Sequence, residues 1–206
     1  MKITNVFKDF RVASYITGGL LIAVSLLYII PALYFHYSSQ GSVSSPSVFP
    51  KSQTVAKVVP GTPVVSGWPV SISIPSTYIN VPVVTGVYNT KSATWNVGLS
   101  VAQYVPSTAL INNVDGATYI YGHYRPAVFA YLHIIKPGAL ATVTTSNGYE
   151  FTYKYIETYA TAPSDTSVLS TYFGPPILLL QTCSGSFFQN RQFYVFDYVS
   201  YQKVIA

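Results

Sequence analysis

Hydrophobic and polar positions along this chain fall into three regimes. Residues 12–37 contain no Asp, Glu, Lys or Arg, and the apolar stretch from Tyr15 to Tyr34 has the length a helix needs to cross a bilayer. Residues 38–67 are dominated by Ser, Pro, Val, Gly and Thr, with charge only at Lys51 and Lys57, which is the composition of a tether and not of a core. From Trp68 onward, short runs alternate apolar and polar with a period of two, as strands do when one face is buried.

Within 68–206 the alternation predicts strands over residues 70–75, 78–84, 118–123, 139–145, 149–159, 177–183 and 191–201. Ser146-Asn147-Gly148 joins two of them as a hairpin turn, since Asn-Gly favours the left-handed backbone such turns use. Pro75 and Pro82 suit strand ends, because proline donates nothing to a ladder. Phe129, Leu132 and Ile135 have helical spacing, and residues 95–105 are compatible with a short helix or turn. Residues 163–176 read as a long irregular crossover. Repeated strands without long helices predict an all-β fold closing into a barrel.

Composition sharpens this picture. The chain has 206 residues, room for one ordinary domain with appendages, and its 19 tyrosines against 8% charged residues favour pleated strands. The formal net charge of +5 is scattered singly, so no basic run is available to neutralise a nucleic-acid backbone. Lys2, Lys8 and Arg11 precede the apolar segment against one acid, Asp9. The positive-inside rule then predicts a cytoplasmic N-terminus over 1–11, a single-pass anchor in the lipid bilayer over 12–37, a linker over 38–67 and an extracytoplasmic domain over 68–206. A cleaved signal peptide is the alternative, but no small-x-small site follows at Tyr34-Phe35-His36-Tyr37.

Cys183 is the sole cysteine and stands where the apolar run Leu178-Leu179-Leu180 breaks into small polar residues, so a strand delivers its thiol to a loop. A lone thiol outside the cell points to chemistry rather than to a structural bridge. His123 ends another strand on the same face as Tyr119 and Tyr121, and an antiparallel return from Cys183 brings Arg191 beside it. A thiol needs a proton acceptor to attack a carbonyl, the leaving amine needs a donor, and a fixed cation can hold the oxyanion. His133 and His36 are read as bystanders, Tyr124 and Gln181 as packing or solvated strand-face residues, and Trp95 as core. Asp165, Glu150, Glu157 and Asp197 are too dispersed for a calcium cage, and no zinc spacing, phosphate loop or dinucleotide fingerprint occurs, so neither metal nor cofactor is expected.

At these residues the chain resembles the sortase family of bacterial cysteine transpeptidases. Tyr121-Gly122-His123 is similar to the family's Gly-His segment, and Leu179-Leu180-Gln181-Thr182-Cys183 to its nucleophile strand. Ile72-Ser73-Ile74-Pro75 with Val81-Pro82-Val83 resembles its opening strands, and 163–169 its crossover. The short Ser-Gly-x-Phe loop before Arg191 is similar to class E and F members. The resemblance implies a closed β-barrel of about eight strands. It implies that Cys183 attacks the threonine carbonyl of a sorting motif similar to Leu-Pro-x-Thr-Gly, that His123 protonates the departing amine, and that an amine acceptor of the cell envelope or a pilin resolves the thioester. Arg191 would bind the oxyanion or substrate backbone, and Thr182 the peptide. The remaining alternatives are another envelope Cys/His peptidase or transpeptidase, or a non-catalytic membrane-tethered β-barrel binding module.

Overall fold

The computed structural model of the chain describes residues 15, 18–22, 24–25, 63–91, 94–165, 167–169, 172–185 and 189–204. The chain divides into two compact units, Met1–Ser47 and Val48–Ala206. In the first, the described residues are helical. Among the described residues no helix is long and apolar enough to cross a membrane. The remainder of the expected anchor, with the flanking charges, His36 and the linker up to residue 62, lies outside the described residues.

The second unit is all-β. Its strands are β1 (Ser66–Gly67), β2 (Pro69–Ile74), β3 (Ile79–Thr85), β4 (Tyr88–Asn89), β5 (Thr94–Trp95), β6 (Ala102–Tyr104), β7 (Ile111–Asn112), β8 (Ala117–Tyr121), β9 (Leu140–Thr145), β10 (Tyr149–Thr161), β11 (Ile177–Ser184) and β12 (Asn190–Lys203). Eight of them close a barrel in the order β10-β12-β11-β8-β6-β3-β2-β9. Two small ladders, β1 with β7 and β4 with β5, lie apart from it, and β1 consists of the last two residues of the expected linker. Closure removes exposed sheet edges, so a chain with few charges has no need of the edge-blunting devices open sheets require.

The apolar patterns explain this architecture strand by strand. Ile72 and Ile74 on β2, Val143 on β9, Phe151 and Tyr153 on β10, and Leu178 and Leu180 on β11 fill one core cluster. Ile177 and Leu179 belong to a second cluster with Tyr119, Tyr121, Phe193 and Val195. Both faces of β11 are therefore buried, which is why its sequence is a continuous apolar run. Each fully buried leucine there contributes roughly 1.5–3 kcal/mol of transfer free energy, so the second face supports the fold as well as the site.

The hairpin over 139–159 forms as β9 and β10, with Gly148 at φ 79° in its turn, a left-handed value open to glycine at no steric cost. Register shifts at Thr152/Tyr153 and Tyr155/Glu157 bend β10 along β12, so its far half pairs with Arg191–Val195. Pro82 stands where β3 leaves β2 and takes up β6, the two ladders meeting at that donorless residue. One expectation is corrected and one is made specific. Residues 95–105 hold the last residue of β5 and the whole of β6, and no helix. Residues 129–135 form a 3-10 turn, Ala130–Ile134, whose three-residue repeat matches the spacing of the fully buried Phe129 and Leu132.

Candidate active site

Three neighbouring strands deliver the expected triad to one place. β8 and β11 run parallel, with Gln181 paired to Tyr121, and Gly122 N extends that ladder by donating to Gln181 O at 2.9 Å. His123 and Cys183 each stand two residues beyond that pair, at the same end of the barrel. β12 returns antiparallel so that Arg191 lies directly opposite Cys183. All three line a single cavity of about 370 Å³.

Local structure holds each side chain there. The His123 carbonyl accepts from Arg125 N at 2.9 Å and Phe129 N at 3.2 Å, which curls the chain after β8 into the segment that packs over Gly122. A Cβ at Gly122 would lie 2.6 Å from Val128 Cγ1 and 2.9 Å from Phe129 Cδ2, so the Gly of the Gly-His pair is required by close packing. Cys183 is half-buried, and Arg191 Nη1 donates to its sulfur at 3.6 Å. The return strand is fastened from behind: Thr158 Oγ1 donates to Phe193 O at 2.7 Å and Gln192 Nε2 to Tyr159 O at 3.1 Å. His123 and Cys183 share the cavity without a direct hydrogen bond, as catalytic pairs often do before substrate is bound.

The cavity floor is aromatic. Trp95, Tyr121, Tyr119 and Phe193 line it in a series of rings (Trp95 to Tyr121 5.8 Å, Tyr121 to Tyr119 6.2 Å, Tyr119 to Phe193 5.7 Å) that continues behind the lining to Tyr88 (5.3 Å from Trp95) and Tyr159 (5.1 Å from Phe193). Tyr121 Oη also donates to Asn96 O at 2.9 Å, tying the β4–β5 ladder to the barrel. Burial pushes the Tyr121 phenol up to about 12 and raises those of Tyr119 and Tyr159 as well, so the floor is uncharged at neutral pH. Over it, Asp165 in the crossover accepts from Ser167 N at 3.0 Å and from the Ser167 hydroxyl, and these donors hold its carboxyl below the ordinary value. Among the described residues no three of His, Cys, Asp and Glu converge as a metal site.

Several sequence readings are corrected here. Thr182 alternates to the opposite face of β11 from Cys183; it is 1% exposed, is not part of the cavity lining, and its hydroxyl has no hydrogen-bond partner among the described residues. Trp95, read as core, is half-buried against the second core cluster and also walls the cavity. Gln181, read as a packing or solvated strand-face residue in preference to one lining a groove, lines the cavity beside Cys183. Tyr124 stays on the surface, its ring 6.3 Å from that of His133, and His133 Nδ1 is engaged with Ala130 O. Neither Trp95 nor Gln181 had a local signal that assigned it to the site: the first depends on a two-residue strand, and the second, though on the face of Cys183, on which face of a uniformly apolar strand looks onto the cavity.

A family model for the sortase domain matches residues 72–198. Similar solved structures include Listeria monocytogenes sortase A, with 22% identity over 66% of this chain and 91% of that one at a TM-score of 0.54. Streptomyces coelicolor sortase E1, solved with a tripeptide in its active site, shares 21% identity over 67% of this chain and 91% of its own, with a TM-score of 0.54. Streptococcus pneumoniae sortase C-3 shares 23% identity over 68% of this chain and 66% of its own, with a TM-score of 0.55. At such identities these likenesses establish the fold, and no curated protein matches in sequence.

Proposed function

Because the chain belongs to the sortase family, whose members are cysteine transpeptidases, we propose that it cleaves a sorting motif similar to Leu-Pro-x-Thr-Gly and passes the acyl group to an amine of the cell envelope or a pilin. Cys183 Sγ attacks the threonine carbonyl, and the S–C bond forms as the C–N bond breaks. The thiol proton passes through His123 to the departing amine. The incoming amine then attacks the thioester, gives its proton back by the same imidazole, and releases the thiol. Arg191 donates to the carbonyl oxygen as negative charge develops on it, where a preorganised donor acts most strongly. Residues 12–37 hold the protein in the membrane with the domain outside, tethered by 38–67, a reading supported by the charge asymmetry of Lys2, Lys8 and Arg11.

The observation that carries this reading is the delivery of His123, Cys183 and Arg191 by three adjacent strands to one cavity. Incubation of the protein with a sorting-motif peptide library and an amine acceptor, followed by mass spectrometry, tests it. Expected products are the truncated peptide joined to the acceptor and, at short times, an adduct on Cys183. Cys183→Ala should yield neither; turnover by that variant at the parent rate would refute the nucleophile.

A further inference from the structure

Among the described residues that line the cavity, Gln181 carries the one amide side chain. It is 7% exposed, flanked in register by Tyr121 on β8 and Phe193 on β12, and it lines the cavity on the same face of β11 as Cys183. Tyr119 Oη donates to its Oε1 at 3.0 Å, a contact buried from solvent. Burial keeps the Tyr119 phenol protonated, so it acts as donor to Oε1, which leaves Nε2 as the donor of an amide that lines the cavity. Among the described residues Nε2 makes no hydrogen bond to protein.

We infer that Gln181 is a substrate-binding residue whose Nε2 donates to a backbone carbonyl of the peptide, about two residues from the scissile carbonyl held at Cys183. The spacing follows from the strand: Gln181 and Cys183 lie two positions apart, roughly 6.5 Å, the same rise as two residues of an extended peptide laid along β11. The chemistry follows from the floor. Among the described residues no protein group accepts from Nε2, and an extended peptide entering the cavity brings one carbonyl per residue. Tyr119 is the positioning residue, since without its hydroxyl the amide is free to rotate. The inference rests on the transpeptidase reading above and adds to it a determinant of peptide register.

Parent, Gln181→Met, Gln181→Glu and Tyr119→Phe proteins would be compared on the library-selected peptide and on analogues in which one backbone carbonyl at a time is reduced to CH2. Both Gln181 variants should lower kcat/KM about tenfold or more, and Tyr119→Phe by less, while iodoacetamide alkylation of Cys183 and Tm stay near parental values. One reduced analogue should cost the parent a comparable factor and cost Gln181→Met less than about twofold further, the signature of a shared contact. If Gln181→Met loses thermal stability, Gln181→Glu and Tyr119→Phe carry the same comparison. Variants within about threefold of the parent, or penalties that simply multiply, overturn this role for Gln181 while leaving the transpeptidase intact. A parent that cleaves no library peptide overturns the transpeptidase reading itself, and this inference with it.

Discussion

Arg191 stands directly across the β11–β12 ladder from Cys183, with Nη1 3.6 Å from the thiol sulfur. Direct opposition in a ladder fixes both the separation and the approach of the guanidinium, and a planar fork exploits that direction where an ammonium does not. Arg191→Lys should therefore lower kcat/KM for peptide by roughly a hundredfold, the scale of losing an oxyanion donor. Iodoacetamide alkylation, which builds no oxyanion, should change far less. Peptide turnover within a few-fold of the parent would confine Arg191 to a structural role.

Gly122→Ala places a methyl against Val128 and Phe129 at the point where Gly122 N bonds to Gln181 O. Overpacking of this kind costs about 1–3 kcal/mol, and relief by backbone movement would carry His123 away from Cys183. Both Tm and kcat/KM should fall, with turnover falling further than the thermal shift accounts for. An unchanged kcat/KM would show that the loop absorbs the methyl without moving the imidazole.

Tyr153 on β10 is fully buried, edge-on to Tyr198 at 6.0 Å, and its hydroxyl has no hydrogen-bond partner among the described residues. Tyr153→Phe keeps the ring and removes the desolvated oxygen, which should stabilise the barrel by about 1 kcal/mol, a few degrees in Tm. A lower Tm would mean that the hydroxyl contributes to the fold.

Asp197 faces Lys154 in the β10–β12 ladder, and burial raises its carboxyl above the ordinary value of 3.8, with Lys154 offsetting part of the rise. A folded-state value above the unfolded one means the stabilising contribution is complete below the ordinary value and is lost as pH rises through the folded one. Asp197→Asn should therefore raise Tm at neutral pH, and the gain should vanish on acidification below the ordinary carboxylate range. Thermal melts across that range decide it; a variant less stable at neutral pH would show that Lys154 outweighs burial.

Residues 12–37 should remain attached to the mature protein, with the barrel outside. Protease added to intact cells should digest the domain, and mass spectrometry should find the N-terminus uncleaved. Protection of the domain in intact cells, with digestion only after lysis, would reverse the topology.

The sequence alone determined what is local. Alternation marked the strands, Asn147-Gly148 the hairpin turn, and the short return after Cys183 placed Arg191 beside the thiol, because a single hairpin carries both residues. The meeting of His123 with Cys183 is of another kind. It depends on the parallel pairing of β8 with β11 across a long crossover, and periodicity reports which residues of a strand share a face, not which strands pair. The faces of β11 were likewise undecided, since Ile177-Leu178-Leu179-Leu180 is apolar at every position and period two has no contrast to read there. Period two set Leu178, Leu180 and Thr182 on one side and Leu179, Gln181 and Cys183 on the other, and only barrel closure decided which side looks onto the site. Trp95 joined the site for the same reason: a two-residue strand has no signature of its own, and its place comes from the rings of Tyr88 and Tyr121 between which it packs.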